Sequence, residues 1–187
     1  MPHGAHRPPH SVASVGDLVA KWRPSMSERK QFRVYVSKDY LKFNAAHFIA
    51  YKGFREALHG HNYGVSVQIE GDLGEQGYVL DFSIVKSVAR RVCERLDERM
   101  LLPAQSDCLA IETRGSQVVV RFEDDEFSFP AKDVLLLPIV HTSAEELARY
   151  LAGEIRRELE RDGIQVAGAI EVGVAETLGQ TAYYRDR

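Results

Sequence analysis

The sequence predicts an α+β domain in which two long helices interrupt an antiparallel sheet and cover it. Three observations carry that expectation. Alternating, β-branched segments stand towards both ends of the chain. Two segments with a helical apolar period lie between them. Each helical stripe is confined to one side, so both helices are expected on one sheet face. The length of 187 residues suits one domain with a tail.

The first thirty residues read differently from the rest. Residues 1–9 carry three prolines, with His3, His6 and His10 in or beside them. Such a stretch cannot bury a core and is expected to be a flexible tail over 1–30. A flexible tail gives its histidines no fixed geometry for a metal. Residues 15–22 carry the pattern of a short helix. The ordered domain is expected to span 31–187.

Residues 32–44 and 63–71 read as strands. Tyr78-Val79-Leu80 leads into Asp81, a residue suited to an N-cap. The helix that follows places Phe82, Val85, Val88, Ala89, Val92, Cys93 and Leu96 on one stripe, and it is expected to stop near Arg99 to Leu102, ahead of Pro103. Val118 to Phe122 and Glu126 to Phe129 flank Glu123-Asp124-Asp125 as a hairpin. Thr142 with Glu145 and Ser143 with Glu146 form two overlapping capping boxes. The helix they open repeats Leu147, Leu151, Ile155 and Leu159 at four-residue spacing. Residues 167–175 and 181–184 read as two closing strands around Leu178-Gly179.

Composition removes several function classes. A formal net charge of −3 gives no basic footprint for nucleic acid. No apolar run approaches the length of a membrane span. Two cysteines, Cys93 and Cys108, make no disulfide framework, and Cys93 lies on a helix stripe as a packed thiol. The N-terminal segment lacks the apolar core of a signal peptide, so a cytoplasmic location is the default.

The chemistry is concentrated in one span. His47 closes one strand-like run, and His59-Gly60-His61 opens another. On a strand, residues i and i+2 share a face, so His59 and His61 can serve one ion. His47 can reach it from the neighbouring strand. Three neutral imidazoles suit a zinc site with an open fourth position. The competing reading is three ordinary histidines, and Glu56, three residues before the pair, weighs against it.

Phe43-x-Ala45-Ala46-His47, His59-Gly60-His61-Asn62-Tyr63, Gly77-Tyr78-Val79-Leu80-Asp81-Phe82, Leu96-Asp97, Thr142-Ser143-Ala144-Glu145 and Glu176-Thr177 occur in that order. Together they resemble the 6-pyruvoyl-tetrahydropterin synthase and 6-carboxytetrahydropterin synthase family. The resemblance implies a tunnelling fold, with four antiparallel strands and two helices on one face. Residues 104–139, which hold the predicted hairpin, would be an insertion in it. It also implies a homo-oligomer, usually a hexamer of two stacked trimers. It assigns Zn2+ to His47, His59 and His61, a pterin ring to Glu176, and further substrate contacts to Thr142 and Ser143. A carboxylate suits the pterin's pyrimidine edge, where two N–H donors lie side by side. The other reading of Glu176 is an exposed strand-end acid.

Two departures from the family pattern bear on activity. The synthases carry a cysteine four residues before the first histidine of the pair, and Arg55 stands there. Glu56-x-x-His59-Gly60-His61 instead resembles a branch of dihydroneopterin side-chain lyases. In the usual Asp-His relay the histidine is replaced, leaving Asp97 followed by Glu98. His141 is the remaining histidine of the domain and a candidate for that role, or simply a loop residue. The expected activity is a zinc-dependent lyase giving 6-hydroxymethyl-7,8-dihydropterin, with Glu56 as base or as an orienting partner of a ligand histidine. Arg55 is a candidate contact for a substrate phosphate, or a solvated loop cation. The alternatives are a 6-pyruvoyl- or 6-carboxy-tetrahydropterin synthase and a non-catalytic pterin-binding paralogue.

Overall fold

The computed structural model describes residues 32–186. The expected tail, its histidines and the short helix at 15–22 lie outside the described residues.

The chain runs β1 (Phe32–His47), β2 (Ala50–Tyr51), β3 (Phe54–Arg55), β4 (His59–Gly71), α1 (Phe82–Leu96), β5 (Arg99–Pro103), β6 (Ala110–Arg114), β7 (Gln117–Phe122) and β8 (Asp125–Pro130). A 3₁₀ turn, Ala131–Asp133, leads to β9 (Val134–Leu137), α2 (Ala144–Arg161), β10 (Ile170–Thr177) and β11 (Gln180–Arg185). The main sheet has the order β11-β10-β4-β1-β5-β9. Its first four strands are antiparallel, as expected, and β5 and β9 extend it with parallel pairing. The sheet is therefore six-stranded and mixed rather than four-stranded.

Both helices cover one face. α1 lies on β1, and α2 lies on β10 and β11. Val34, Val36, Phe43, Tyr63, Val65, Val67, Val172 and Val174 meet Val88, Val92, Leu147, Leu151 and Ile155 in one buried core. Asp81 caps α1 by accepting the Ser83 N–H, and Ser143 caps α2 by accepting the Glu146 N–H. Phe82, expected on the buried stripe, is 52% exposed, because the stripe starts a turn later at Val85.

α1 stops at Leu96, earlier than its apolar pattern suggests. The Asp97 carboxylate accepts the Asn44 N–H of β1 at 2.7 Å. Glu98 then takes a left-handed conformation, φ 56°, and its N–H donates to Asn44 O. That turn feeds Met100, Leu101 and Leu102 into a parallel strand, so the expected helix end is a buried strand. The predicted hairpin is present as β7 and β8, but β6 pairs with β7 to make it a three-stranded antiparallel sheet. A second buried cluster lies there, formed by Phe48, Ala50, Met100, Leu102, Val118, Val120 and Phe122.

β1 pairs with β4 along nearly its whole length, with one interruption. Between Ser37 and Lys42, β1 advances five residues while β4 moves two, from Ser66 to Gly64. The bulge changes which residues face the helices. Val34 and Val36 point inward before it, and Leu41, Phe43, Ala45 and His47 after it. His47 therefore joins the inward face at the end of the sheet.

Candidate metal centre and pterin site

The last pairs of the β1–β4 ladder are Ala45 with His61 and His47 with His59. All three histidines continue the inward alternation set by Phe43, Tyr63 and Val65. Beneath them the rings of Phe43 and Tyr63 stack with centroids 4.7 Å apart. Gly60 allows this close pairing. A Cβ there would sit 3.0 Å from the Ala45 carbonyl oxygen, tighter than ordinary contact.

The ring centroids of His47 lie 4.6 Å from His59 and 5.3 Å from His61, and those of His59 and His61 lie 4.9 Å apart. One nitrogen from each falls within 4.8 Å of the other two. His47 is 1% exposed, and its Nδ1–H donates to the Thr142 carbonyl at 2.9 Å. His59 Nδ1–H donates to Ala57 O at 2.8 Å. Those bonds place the proton on Nδ1 and the lone pair on Nε2 in both rings, the arrangement in which a carbonyl sets the tautomer of a ligand histidine. On His47 that lone pair accepts a hydrogen bond from Tyr63, which a bound cation would have to displace. Burial, helped by the neighbouring His59, pulls His47 down from 6.5 to about 4, so the ring is neutral at pH 7. Three imidazole nitrogen donors on a rigid ladder fit a metal ion by donor chemistry.

One residue of this centre, Tyr63, was given no role from the sequence, and another, Thr142, was expected only as a cap and a substrate contact. The Tyr63 hydroxyl lies 3.0 Å from His47 Nε2 and donates to it. Its own proton is held well above the usual tyrosine range, first by burial and then by the Glu176 and Glu56 carboxylates. Tyr63 is two residues beyond His61, so the same alternation that pairs the histidines places it on their face. Thr142 is fully buried, and its Oγ1 donates to Phe48 O at 3.1 Å and sits 3.3 Å from His47 Nδ1. Thr142 thus orients the first histidine, and of the two expected capping boxes only that of Ser143 caps α2.

Glu56 follows β3, where the chain turns back towards the histidines. Its N–H donates to Ile49 O at 2.9 Å, and its Oε2 accepts the Ile49 N–H at 3.0 Å. Among the described residues Oε1 has no hydrogen-bond partner. The carboxylate lies close enough to raise both His47 and Tyr63 electrostatically. Glu176, near the end of β10, lines a cavity of about 420 Å³ together with Ile49, Ser143, Glu145, Gln180 and Thr181. Glu176 and Ser143 thus share one cavity next to the residue that anchors Glu56.

Other predicted residues stand elsewhere. Arg55 is held by the inserted sheet: Nε and Nη2 donate to Asp125 Oδ2 at 3.1 and 2.7 Å, and Nη1 donates to Glu56 O at 2.7 Å. Its guanidinium is therefore not a free cation. Asp97 is bonded to the β1 backbone. Glu98 lines a cavity of about 430 Å³ with Asn44, Ala46, Gly60, Asn62 and the cluster's own His61. His141 is half-buried in the loop before Thr142 and makes no hydrogen bond to the cluster among the described residues. Cys93 is buried against α1's partners and pushed up to about 12, an inert thiol.

Fold and site together define a tunnelling-fold protein with a three-histidine candidate metal centre at the end of its sheet. The chain belongs to the 6-pyruvoyl tetrahydropterin synthase family, whose sequence model matches residues 35–187. The family is one of pterin-biosynthesis lyases. A Methanocaldococcus jannaschii protein with the provisional name 6-carboxy-5,6,7,8-tetrahydropterin synthase is 37% identical, over 78% of this chain and 90% of that one. The dihydroneopterin monophosphate aldolase of Pyrococcus furiosus is 41% identical over 59 residues, 32% of this chain and 50% of that one. A structure of Plasmodium vivax 6-pyruvoyltetrahydropterin synthase superposes with a TM-score of 0.80 at 38% identity, covering 84% of this chain and 99% of that one. It is a variant in which a catalytic glutamate is replaced by alanine. No helix of the described residues is long and apolar enough to cross a membrane.

Proposed function

We propose that the protein is a zinc-dependent lyase that cleaves the side chain of 7,8-dihydroneopterin, free or phosphorylated, to 6-hydroxymethyl-7,8-dihydropterin. The product would serve synthesis of a folate-like or methanopterin-like cofactor. The observation that carries the reading is Glu56. A carboxylate with one oxygen fixed on the Ile49 N–H, and the other without a protein partner among the described residues, follows directly on Arg55, the position at which the resemblance places the cysteine of the cysteine-bearing synthases. Neither cysteine of the chain is near that place in sequence. The aldolase name of the Pyrococcus furiosus relative and the catalytic glutamate of the Plasmodium vivax enzyme support the same assignment.

His47, His59 and His61 would hold zinc, which supplies Lewis acidity to the side-chain hydroxyls. Glu176 binds the ring by accepting two N–H donors of the pyrimidine edge, with Ser143 beside it in the same cavity, while Thr142, fully buried, acts through His47 rather than as the expected substrate contact. Glu56 takes the proton of the C2′ hydroxyl. The C1′–C2′ bond breaks in a retro-aldol sense, its electron pair spreads into the dihydropterin ring, and a proton returns to C1′. A two-carbon aldehyde leaves. Asp97 and His141 are the remaining candidates for returning that proton. A homo-hexamer would cover the sheet face that carries Tyr35, Ser66, Thr181 and Tyr183.

The names of the synthase relatives favour a second reading, formation of a 6-pyruvoyl or 6-carboxy product. One experiment separates the two. The purified protein is incubated with dihydroneopterin and with its monophosphate and triphosphate, and the products are weighed by mass spectrometry. The hydroxymethyl product is expected. A pyruvoyl or carboxy product would replace the lyase reading, and no turnover on any form would leave a pterin-binding protein.

A further inference from the structure

Besides the buried cluster that Phe48 and Ala50 share with Val118, Val120 and Phe122, the inserted sheet reaches Glu56 through a chain of polar contacts. Asp125, the first residue of β8, receives two hydrogen bonds from the Arg55 guanidinium. The face of that guanidinium lies 4.8 Å from the centroid of Phe127 and 5.8 Å from that of Phe48. Phe48 and Phe127 stack on each other at 5.2 Å, which joins the inserted sheet to the residue immediately after His47. The remaining arm of the fork, Nη1, donates to the backbone carbonyl of Glu56.

An arginine so engaged works as a strut. A planar fork bonded on two sides and stacked on an aromatic face has little rotational freedom left. Its side chain is only 20% exposed, while Asp125 is 54% exposed. An exposed ion pair on its own contributes little to stability. Here the pair fixes a direction: Asp125 holds the fork, and the fork holds the carbonyl of the residue whose carboxylate meets the Ile49 N–H. β2 and β3 are two residues each, too short to hold Glu56 in place by themselves.

We propose that Asp125 and Arg55 are positioning residues, through which the inserted sheet sets the placement of the Glu56 carboxylate. The proposal rests on Glu56 being the base of the proposed reaction for its kinetic consequence, though not for its structural one.

The test uses the full chain with Asp125→Ala and Asp125→Glu, and reads hydrogen exchange and turnover separately. The Ile49 N–H has the Glu56 carboxylate as its acceptor, so its exchange reports the carboxylate's position whatever the substrate is. In Asp125→Ala the Ile49 and Glu56 amides should exchange roughly tenfold faster or more, with the amides of α1 and α2 unchanged and Asp125→Glu restoring protection. In turnover, kcat should fall roughly 10-fold to 100-fold with KM little changed, as expected for a displaced base. The same change made on Glu56→Gln should produce no further loss, because the two act through one group. Unchanged exchange at Ile49 overturns the proposal even if the wild type turns over nothing. Additive losses in the double variant, with normal exchange, would do so too. A wild type without turnover but with the expected exchange would count against the lyase reading and leave the brace standing.

Discussion

Replacing Glu56 by Gln tests the reaction with little disturbance of the structure. The Glu56 Oε2 atom accepts one hydrogen bond, from the Ile49 N–H at 3.0 Å, and a glutamine carbonyl can accept the same bond. The Glu56 N–H to Ile49 O bond and the Arg55 bond to Glu56 O are made by backbone atoms and are retained. What disappears is a group able to take a proton. Loss of a positioned base costs about 10²–10⁴-fold in rate, or roughly 3–5 kcal/mol on the barrier. The assay is steady-state turnover on whichever dihydroneopterin form is the substrate, with metal content and melting temperature measured on the same preparation. A rate loss of that size with full metal content and an unchanged melt is expected. A near-normal rate would refute the assignment and turn attention to His141. Loss of metal would show instead that Glu56 supports the histidine cluster.

Three other outcomes follow from the geometry. Single alanine replacements of His47, His59 and His61 should each lower zinc content measured by elemental analysis, and full content in all three would remove the metal assignment. Thr142→Val keeps shape but leaves Phe48 O without its donor; denaturant titration should show a loss of about 1–3 kcal/mol and zinc affinity should fall about 10-fold to 100-fold, whereas unchanged affinity would mean the Thr142 carbonyl alone orients His47. Glu176→Ala should weaken binding of a pterin ligand by roughly 1–3 kcal/mol for the donors left unpaired, and unchanged affinity by calorimetry would place the carboxylate outside the ring site.

The pH dependence has a definite sign. His47 sits at about 4 when folded against 6.5 ordinarily, so the unfolded chain binds its proton more readily. Its contribution to the stability of the zinc-stripped protein is present above about pH 6.5 and is lost as pH falls towards 4. Denaturant midpoints across that window should therefore drop more steeply in the wild type than in His47→Gln. Parallel curves for the two proteins would contradict a buried neutral ring.

The parts of the fold legible in the sequence are those with one clear period. His59, His61 and Tyr63 share a face because strand alternation has no other solution, and Ser143 was readable as a cap. The strand β5 was not legible. Met100, Leu101 and Leu102 are consecutive and all buried, since a parallel strand between two others hides both faces. Such a run has no alternation and merges with the helical stripe that precedes it. Thr142 was misread for a related reason. Two adjacent residues both fit a capping box, and only the fold reveals that one of them is bound to His47. Arg55 looked like an available cation because its acceptor, Asp125, lies seventy residues further along the chain.

The bulge in β1 has a consequence for heredity rather than for chemistry. Lys38, Asp39 and Tyr40 are exposed and lie between two stretches that each keep their own pairing with β4. A residue gained or lost among these three is taken up by the slack, and Phe43 through His47 stay opposite Tyr63 through His59. The same single-residue change a few positions later, between Phe43 and His47, has no slack to absorb it. It would turn the His47 ring to the polar side of the sheet and dissolve the cluster. The strand therefore has room for a change in length at one point of β1 and none between Phe43 and His47.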